Sequence, residues 1–367
     1  MSSRGAVPSP DDALSVFLRG EVASGRIPGA SWRVEAGSTV ISSGAIGWAC
    51  VEPQKEDASE ETPYDLASLT KPLVTALLAL LLEDEGWLDL EEPAAGPLPE
   101  LRGSPYAPAS LLDLGTHRAG FPAWRPLYLS ASDLDGYVRV ASRTAPATSH
   151  GDTLYSDLGY ILLGSAIERI TGERLDELFE RRVARPLLLS RMGFSRLGRF
   201  PTAAATETGN EYERTLAGEA GASFPWRGFI PRGEVHDVNA HVLGGVAGHA
   251  GLFGTAADVA TVAREMIHGK SLGWTARSRR RLLEAGTGER ARSFGFVMAR
   301  DSGAARGALP DRAPGHTGFT GTSLWLDPER SRLFVLLTNR IHPRVPSRDF
   351  GETRLGFHRI ADAVSRS

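Results

Sequence analysis

Strand-forming sequence lies at both ends of this chain, and a long helical middle separates the two stretches. From Gly29 to Trp48 short apolar segments flank Gly37-Ser38, the pattern of a β-hairpin. Strand texture returns only at Phe294–Ala299, Thr320–Leu326 and Leu333–Thr338, with Asp327-Pro328-Glu329-Arg330 as a turn between the last two. Residues between roughly 110 and 290 read mostly as helices broken by glycine and proline. This order predicts one antiparallel sheet built from both termini, with a helical insertion beside it. The fold class expected is α/β (α+β). Its organisation would be an α/β subdomain from residues 1–66 and 290–367 and a helical subdomain from 67–289, together one catalytic unit.

Helical spacing marks 10–24, with Asp11 and Asp12 in the first turn, and a strong helix opens at Ser68 and runs to about Glu85. Ser110–Leu114, Leu158–Thr171, Arg174–Val183, Ala256–His268 and a closing Glu352–Val364 follow the same period. Residues 53–62 are acidic and polar, as in a surface loop. The stretch 201–255 is rich in loops and glycine and carries Phe224, Trp226 and Phe229; loops of that length are usually functional. No fixed-period repeat or low-complexity tract occurs.

The chain has 367 residues, 41% hydrophobic and 23% charged, which suits a soluble globular protein. With 41 basic against 44 acidic residues, net charge −3, nothing electrostatic favours a nucleic acid or an anionic membrane. The longest apolar run, Pro72–Leu82, is interrupted by Thr75 and is too short to span a bilayer. Cys50 is the single cysteine, so neither an intrachain disulfide nor a Cys-rich metal site is expected, and no cofactor is implied. Met1 to Asp12 lacks a basic segment followed by an apolar one, so the expected location is cytoplasmic. Oligomeric state is not legible.

Only three lysines occur, Lys55, Lys71 and Lys270, and Lys71 closes the tetrapeptide Ser68-Leu69-Thr70-Lys71 at the head of the apolar helix. Three residues apart on a helix, the two side chains share a face. A lysine can take the proton of a serine hydroxyl and make it a nucleophile, and a helix N-terminus favours developing negative charge. Ser68 could equally be a helix cap. A second candidate is Tyr155-Ser156-Asp157 at the start of the next helix, where the phenol could relay the serine proton; a core tyrosine followed by a capping Asp is the plain alternative. A third is Gly315-His316-Thr317-Gly318-Phe319-Thr320-Gly321. A small, Gly-rich edge strand lets backbone N–H groups approach a substrate carbonyl as an oxyanion hole requires.

Together and in this order, the three stretches resemble the serine penicillin-recognising superfamily: DD-peptidases, class C β-lactamases and related family VIII-type esterases. Its signature runs S-x-x-K, Y-x-N, then K-T-G or H-T-G. Thr62–Lys71, Leu114–Phe121 and the 235–258 stretch resemble further family segments, so the likeness covers roughly residues 10–364. It implies a β-lactamase/transpeptidase-like fold and a serine hydrolase without metal or cofactor. By the same resemblance Ser68 would be acylated, Lys71 would move its proton, and Tyr155 would act in acylation and deacylation. The N–H groups of Ser68 and Phe319 would hold the oxyanion, and His316, Thr317 and Gly318 would line the substrate site. His316 stands where many relatives have lysine.

Asp157 departs from the family's Asn. A carboxylate accepts hydrogen bonds but cannot donate one to a substrate carbonyl, and it could pair with Lys71 and raise its pKa. That favours an ester or a D-amino-acid peptide over a β-lactam. A β-lactamase and a non-catalytic binding or sensing module stand as alternatives. Gly269-Lys270-Ser271-Leu272-Gly273 matches the G-x-S-x-G elbow, but a helix precedes it where that motif needs a strand. His236-Asp237 and His249 read as loop-stabilising, and His117 as structural. Trp124, Trp226 and Trp325 are candidates for an acyl pocket or for the core.

Overall fold

The computed structural model describes residues 12–196, 198–286 and 292–366. Pro10 and Asp11 of the first expected helix, and the expected domain boundary at 290, fall outside that range. Helix α1 (Ala13–Ala23) starts where Asp12 accepts the Ser15 N–H at 2.7 Å. Strands β1 (Gly29–Ala36) and β2 (Thr39–Cys50) form the expected hairpin, with Gly37 at φ +61° in its turn. Strands β3 (Glu56–Asp57) and β4 (Tyr64–Asp65) follow.

The helix expected from Ser68 is not uniform. A 3-10 turn spans Ala67–Leu69, a widened π turn spans Lys71–Ala76, and helix α2 (Leu77–Asp84) continues from it. Pro72, which has no N–H, lies in the widened turn, and Thr75 sends its hydroxyl to the Gly248 carbonyl at 2.6 Å.

Helices α3 (Leu111–Gly115), α4 (Leu134–Arg143), α5 (Asp157–Thr171) and α6 (Leu175–Phe179) come next. Sequence reading found three of these four; α4 lacked an obvious apolar run. Strand β5 (Gly193–Phe194) is short. The 201–255 stretch is more structured than expected, holding α7 (Glu211–Ala217), α8 (Val238–Val242) and β6 (Leu252–Gly254). Helix α9 (Ala256–His268) has the predicted bounds, with Thr255 as N-cap and Gly269 ending it at φ +58°. Helix α10 (Ala276–Leu283) was not anticipated.

Of the segment 294–299 only β7 (Val297–Met298) is strand. Gly295 turns the chain at φ +112°, and Phe294 N–H bonds the Arg281 carbonyl instead of a sheet neighbour. Strands β8 (Pro314–Thr317), β9 (Ser323–Asp327) and β10 (Arg332–Thr338) complete the chain with helix α11 (Gly351–Val364).

The main sheet is antiparallel, in the order β3-β2-β1-β10-β9-β8-β7, so the two ends of the chain meet at β1 and β10 with Ala30 opposite Thr338. Leu333, Val335 and Leu337 face the core formed with α2 and α9. Phe334 and Leu336 face the opposite core, where Leu14, Leu18 and Phe357 of α1 and α11 pack. A strand covered on both faces reads as an unbroken apolar run, as Leu333–Leu337 does. Each such buried side chain contributes about 1.5–3 kcal/mol relative to exposure. A second, three-stranded sheet has the order β4-β6-β5, its β4 leading directly into the turn that bears Ser68. No helix among the described residues is long and apolar enough to cross a membrane.

Candidate active site

Ser68 sits in the 3-10 turn after β4, and the turn is locked from several directions. Ala67 adopts φ +48°, a conformation that an L side chain takes only when its surroundings enforce it. Asp65 does much of that: one oxygen accepts the Ala67 N–H at 2.9 Å and the other the His236 N–H at 2.8 Å. The loop between β8 and β9 is tied to the same turn through Thr320 Oγ1 to the Asp65 carbonyl (2.7 Å) and Thr322 Oγ1 to the Leu66 carbonyl (3.0 Å). Gly318 lies so close that a Cβ there would fall 2.1 Å from Thr322 Oγ1 and 2.7 Å from the Leu66 oxygen.

Ser68 Oγ accepts hydrogen bonds from Lys71 Nζ at 3.0 Å and from Tyr155 Oη at 2.8 Å. Lys71 is fully buried, and its ammonium lies 2.6 Å from Asp157 Oδ1 and also donates to the His249 carbonyl at 3.1 Å. Burial alone would drive Lys71 down, but the Asp157 charge, with Tyr155, outweighs it and holds the ammonium above its usual range. Burial, reinforced by Asp157, pushes the Tyr155 phenol up, so it is neutral at pH 7.

His117 holds Tyr155 in place. It is buried at φ +61°, its Nδ1 accepts the Ser156 N–H at 3.0 Å, and its carbonyl accepts the Leu154 N–H at 3.0 Å. Its ring lies 4.7 Å from that of Tyr155. Ser156 caps α5 by accepting the Gly159 N–H at 3.2 Å, which puts Asp157 in the first turn, facing Lys71.

His316 lies on β8 with its ring 5.8 Å from Tyr155. Its Nδ1 is 2.9 Å from the Thr317 carbonyl; a carbonyl only accepts, so Nδ1 carries the proton and Nε2 is left as an acceptor. Burial and then Lys71 and Arg292 hold His316 well below the usual histidine pKa, so it is neutral where a lysine would be charged. The expected Gly-rich strand is strand only to Thr317; Gly318 to Thr322 form a turn, in which Gly318 N–H bonds the Thr322 carbonyl at 2.8 Å. Nor is β8 a full edge: β7 pairs with its Pro314 and Gly315, leaving His316 and Thr317 uncovered. Among the described residues no carbonyl accepts from the Phe319 N–H.

A cavity of about 210 Å³ opens beside Ser68, with Trp124, Phe319 and Tyr212 on its walls. Trp325 is not among them: it is fully buried on the α1 and α11 face, against Gly315. Trp226 packs on Tyr128 and Phe224. Ser271 follows α9 in a turn, its N–H bonded to Glu265. His236 and His249 pair with Glu207 and Asp237, each at 2.9 Å.

Sequence reading missed three groups at the site. Glu213 and Asp237 line the cavity from the 201–255 stretch, and the guanidinium of Arg292 lies 5.5 Å from the Tyr155 ring centroid. Nothing local distinguishes Glu213 or Arg292 from surface charges; Asp237 was singled out beside His236 and His249, but as loop-stabilising, and its pairing with His249 leaves it lining the cavity as well.

The sequence over residues 15–355 matches the Beta-lactamase family. A protein of Escherichia coli (strain K12) assigned as a D-alanyl-D-alanine carboxypeptidase is 32% identical over 323 residues, covering 80% of this chain and 72% of the relative. The chain therefore belongs to the Beta-lactamase family, a family of hydrolases that share the penicillin-binding-protein fold. Two solved structures share that fold. A penicillin-binding protein homologue from Caulobacter crescentus superposes with a TM-score of 0.75 at 20% identity, covering 98% of this chain and 99% of that one. EstCE1, a hydrolase with promiscuous acyltransferase activity, does so with 0.74 at 21%, covering 96% and 97%. At those identities the likeness speaks to fold alone.

Proposed function

We propose that this protein is a serine hydrolase that cleaves an ester or amide bond through an acyl-enzyme on Ser68, with a carboxylesterase-like or DD-peptidase-like preference. One observation carries the reading: Ser68 Oγ is hydrogen-bonded by both Lys71 and Tyr155, and Lys71 is itself 2.6 Å from Asp157. Ser68 Oγ attacks the carbonyl carbon and gives its proton to Lys71 as Lys71 passes one to Asp157, so a lysine held charged still serves as the acceptor. The oxyanion forms against the Ser68 and Phe319 N–H groups. When the C–O or C–N bond breaks, the leaving group takes the Tyr155 proton; Tyr155 recovers one from Lys71, and Lys71 from Asp157. Water then repeats the sequence on the acyl-enzyme and frees the acid and Ser68.

The E. coli relative supports the peptide branch. Asp157 supports the ester branch over β-lactams, because a carboxylate committed to Lys71 offers no donor to a lactam carbonyl. The test is hydrolysis of p-nitrophenyl butyrate, with fluorophosphonate labelling in parallel. The wild type turns over and labels at Ser68, and Ser68→Ala does neither. Equal turnover by both proteins, or label on Ser271, overturns the reading, and no turnover or label in the wild type points to a binding module.

A further inference from the structure

The cavity beside Ser68 has four carboxylates in its wall, and they differ in how their oxygens are satisfied. Asp157 is paired with Lys71 at 2.6 Å. Asp65 accepts backbone N–H groups at both oxygens. Asp237 accepts from Ala240 N–H at 2.8 Å and contacts His249 at 2.9 Å; against the cost of burial, these neighbours hold it down at about 2. Glu213 differs. It is 5% exposed, its Oε1 accepts the Val238 N–H at 3.0 Å, and among the described residues its Oε2 has no hydrogen-bond partner. Arg227, the cation whose charge acts on Glu213, donates its own hydrogen bonds elsewhere, to Asn210 Oδ1 and the carbonyls of Val235 and His236.

A buried carboxylate oxygen without a donor costs about 1–3 kcal/mol or more, so a ligand that brings an N–H⁺ to it is favoured. Trp124 and Tyr212 also line the cavity, and an aromatic ring attracts a cation, whereas the Phe319 ring is already stacked on His236 and lies 5.5 Å from the Arg340 guanidinium. No three of the acidic and histidine side chains among the described residues are grouped to hold a metal ion. The volume, about 210 Å³, suits a small organic group.

The cavity also has a direction. Its wall includes Ser68 and Asp157, whereas Tyr155 and His316 are not part of it. The leaving group takes its proton from Tyr155 and so departs on that side, which leaves the cavity for the acyl part of the substrate. We propose that this cavity is an acyl subsite for a primary ammonium, with Glu213 as its counter-ion, so that the preferred substrates are small aminoacyl esters or amides with a free amine. The proposal rests on the hydrolase reading and adds its substrate class. Burial, and then the charge of Asp237, hold the Glu213 carboxyl well above the usual carboxylate range, and an entering cation relieves both.

The test uses methyl esters in which NH₃⁺ replaces a CH₃ of the same shape: alanine against isobutyrate, and β-alanine against butyrate. Proton release gives kcat/KM at pH 7, and each value is divided by that ester's rate with hydroxide to remove intrinsic reactivity. The wild type favours at least one ammonium ester by about tenfold or more, and Glu213→Gln lowers that ratio by about tenfold or more. Ratios near one in the wild type overturn the proposal while leaving the hydrolase reading intact, and so does a preference that Glu213→Gln retains. If Glu213→Gln does not fold, the wild-type ratios decide alone. If no ester is hydrolysed, the hydrolase reading falls and takes this one with it.

Discussion

Asp157 carries the most consequence at the scale of a single residue. With Lys71 fully buried, the neighbouring carboxylate is the chief group that keeps the ammonium charged. Asp157→Asn removes that charge, leaves burial as the dominant influence and lowers the Lys71 pKa. The limb of the kcat/KM profile for p-nitrophenyl butyrate that belongs to Lys71 therefore moves to lower pH. The same change weakens the fold by about 1–3 kcal/mol in urea titration at pH 7, because the partner of a buried cation is reduced to a neutral amide. Unmoved pH limbs in a folded variant would show that the pair is not what sets the lysine charge. The possibility of a Lys71–Asp157 pair was legible in the sequence, from one letter that departs from the family's pattern. The orphan oxygen of Glu213 was not, since satisfaction of a hydrogen bond depends on neighbours that arrive from elsewhere in the chain.

Among the elements, the turn between β8 and β9 and the turn bearing Ser68 behave as one piece. They share hydrogen bonds from Thr320 and Thr322, and Gly318 fills the closest approach. Gly318→Ala must move either Thr322 or the Leu66 carbonyl, since the new Cβ would meet them at 2.1 and 2.7 Å. Overpacking of this kind costs about 1–3 kcal/mol. The displaced Phe319 N–H should reduce kcat by about tenfold or more, with KM changing less, because that N–H acts on charge developing in the transition state. A loss confined to KM would argue against an oxyanion role for this turn. Periodicity located the α9 helix to the residue, because Thr255 and Gly269 mark its two ends chemically. It failed on the Ser68 helix, where the apolar spacing reads as one helix but the widened turn holds Pro72 and Thr75, whose hydroxyl bonds the Gly248 carbonyl.

Across the whole molecule the layers are joined by buried polar contacts that answer to pH. His358 of α11 is fully buried with Nε2 3.0 Å from Ser323 Oγ of β9, and burial, aided by Arg354, holds it down at about 3. Its folded pKa lies below the ordinary value of 6.5, so the unfolded chain takes up the proton first as pH falls. The stability due to neutral His358 is thus complete above about pH 6.5 and is lost progressively between there and about pH 3. His358→Asn removes up to about 1.4 kcal/mol per pH unit from the slope of unfolding free energy in that window, measured by urea titration from pH 4 to 6.5. An unchanged slope would mean that His358 is charged in the fold.

The sequence by itself determined the sheet that joins the two ends, because strand texture was read only there; β10 shows as an unbroken apolar run because both of its faces are covered. It also determined the three catalytic candidates, since Ser68 and Lys71 lie within one turn and the motif order is a one-dimensional property. Tertiary structure alone decided that Tyr155, 87 residues away, reaches Ser68 at 2.8 Å, that His117 fixes it there, and that His316 is neutral. It alone brought Asp65, Asp237 and Glu213 around one cavity and, among the described residues, left Glu213 Oε2 without a donor. Charge state and hydrogen-bond satisfaction are set by burial and by neighbours distant in sequence, and no local pattern encodes either.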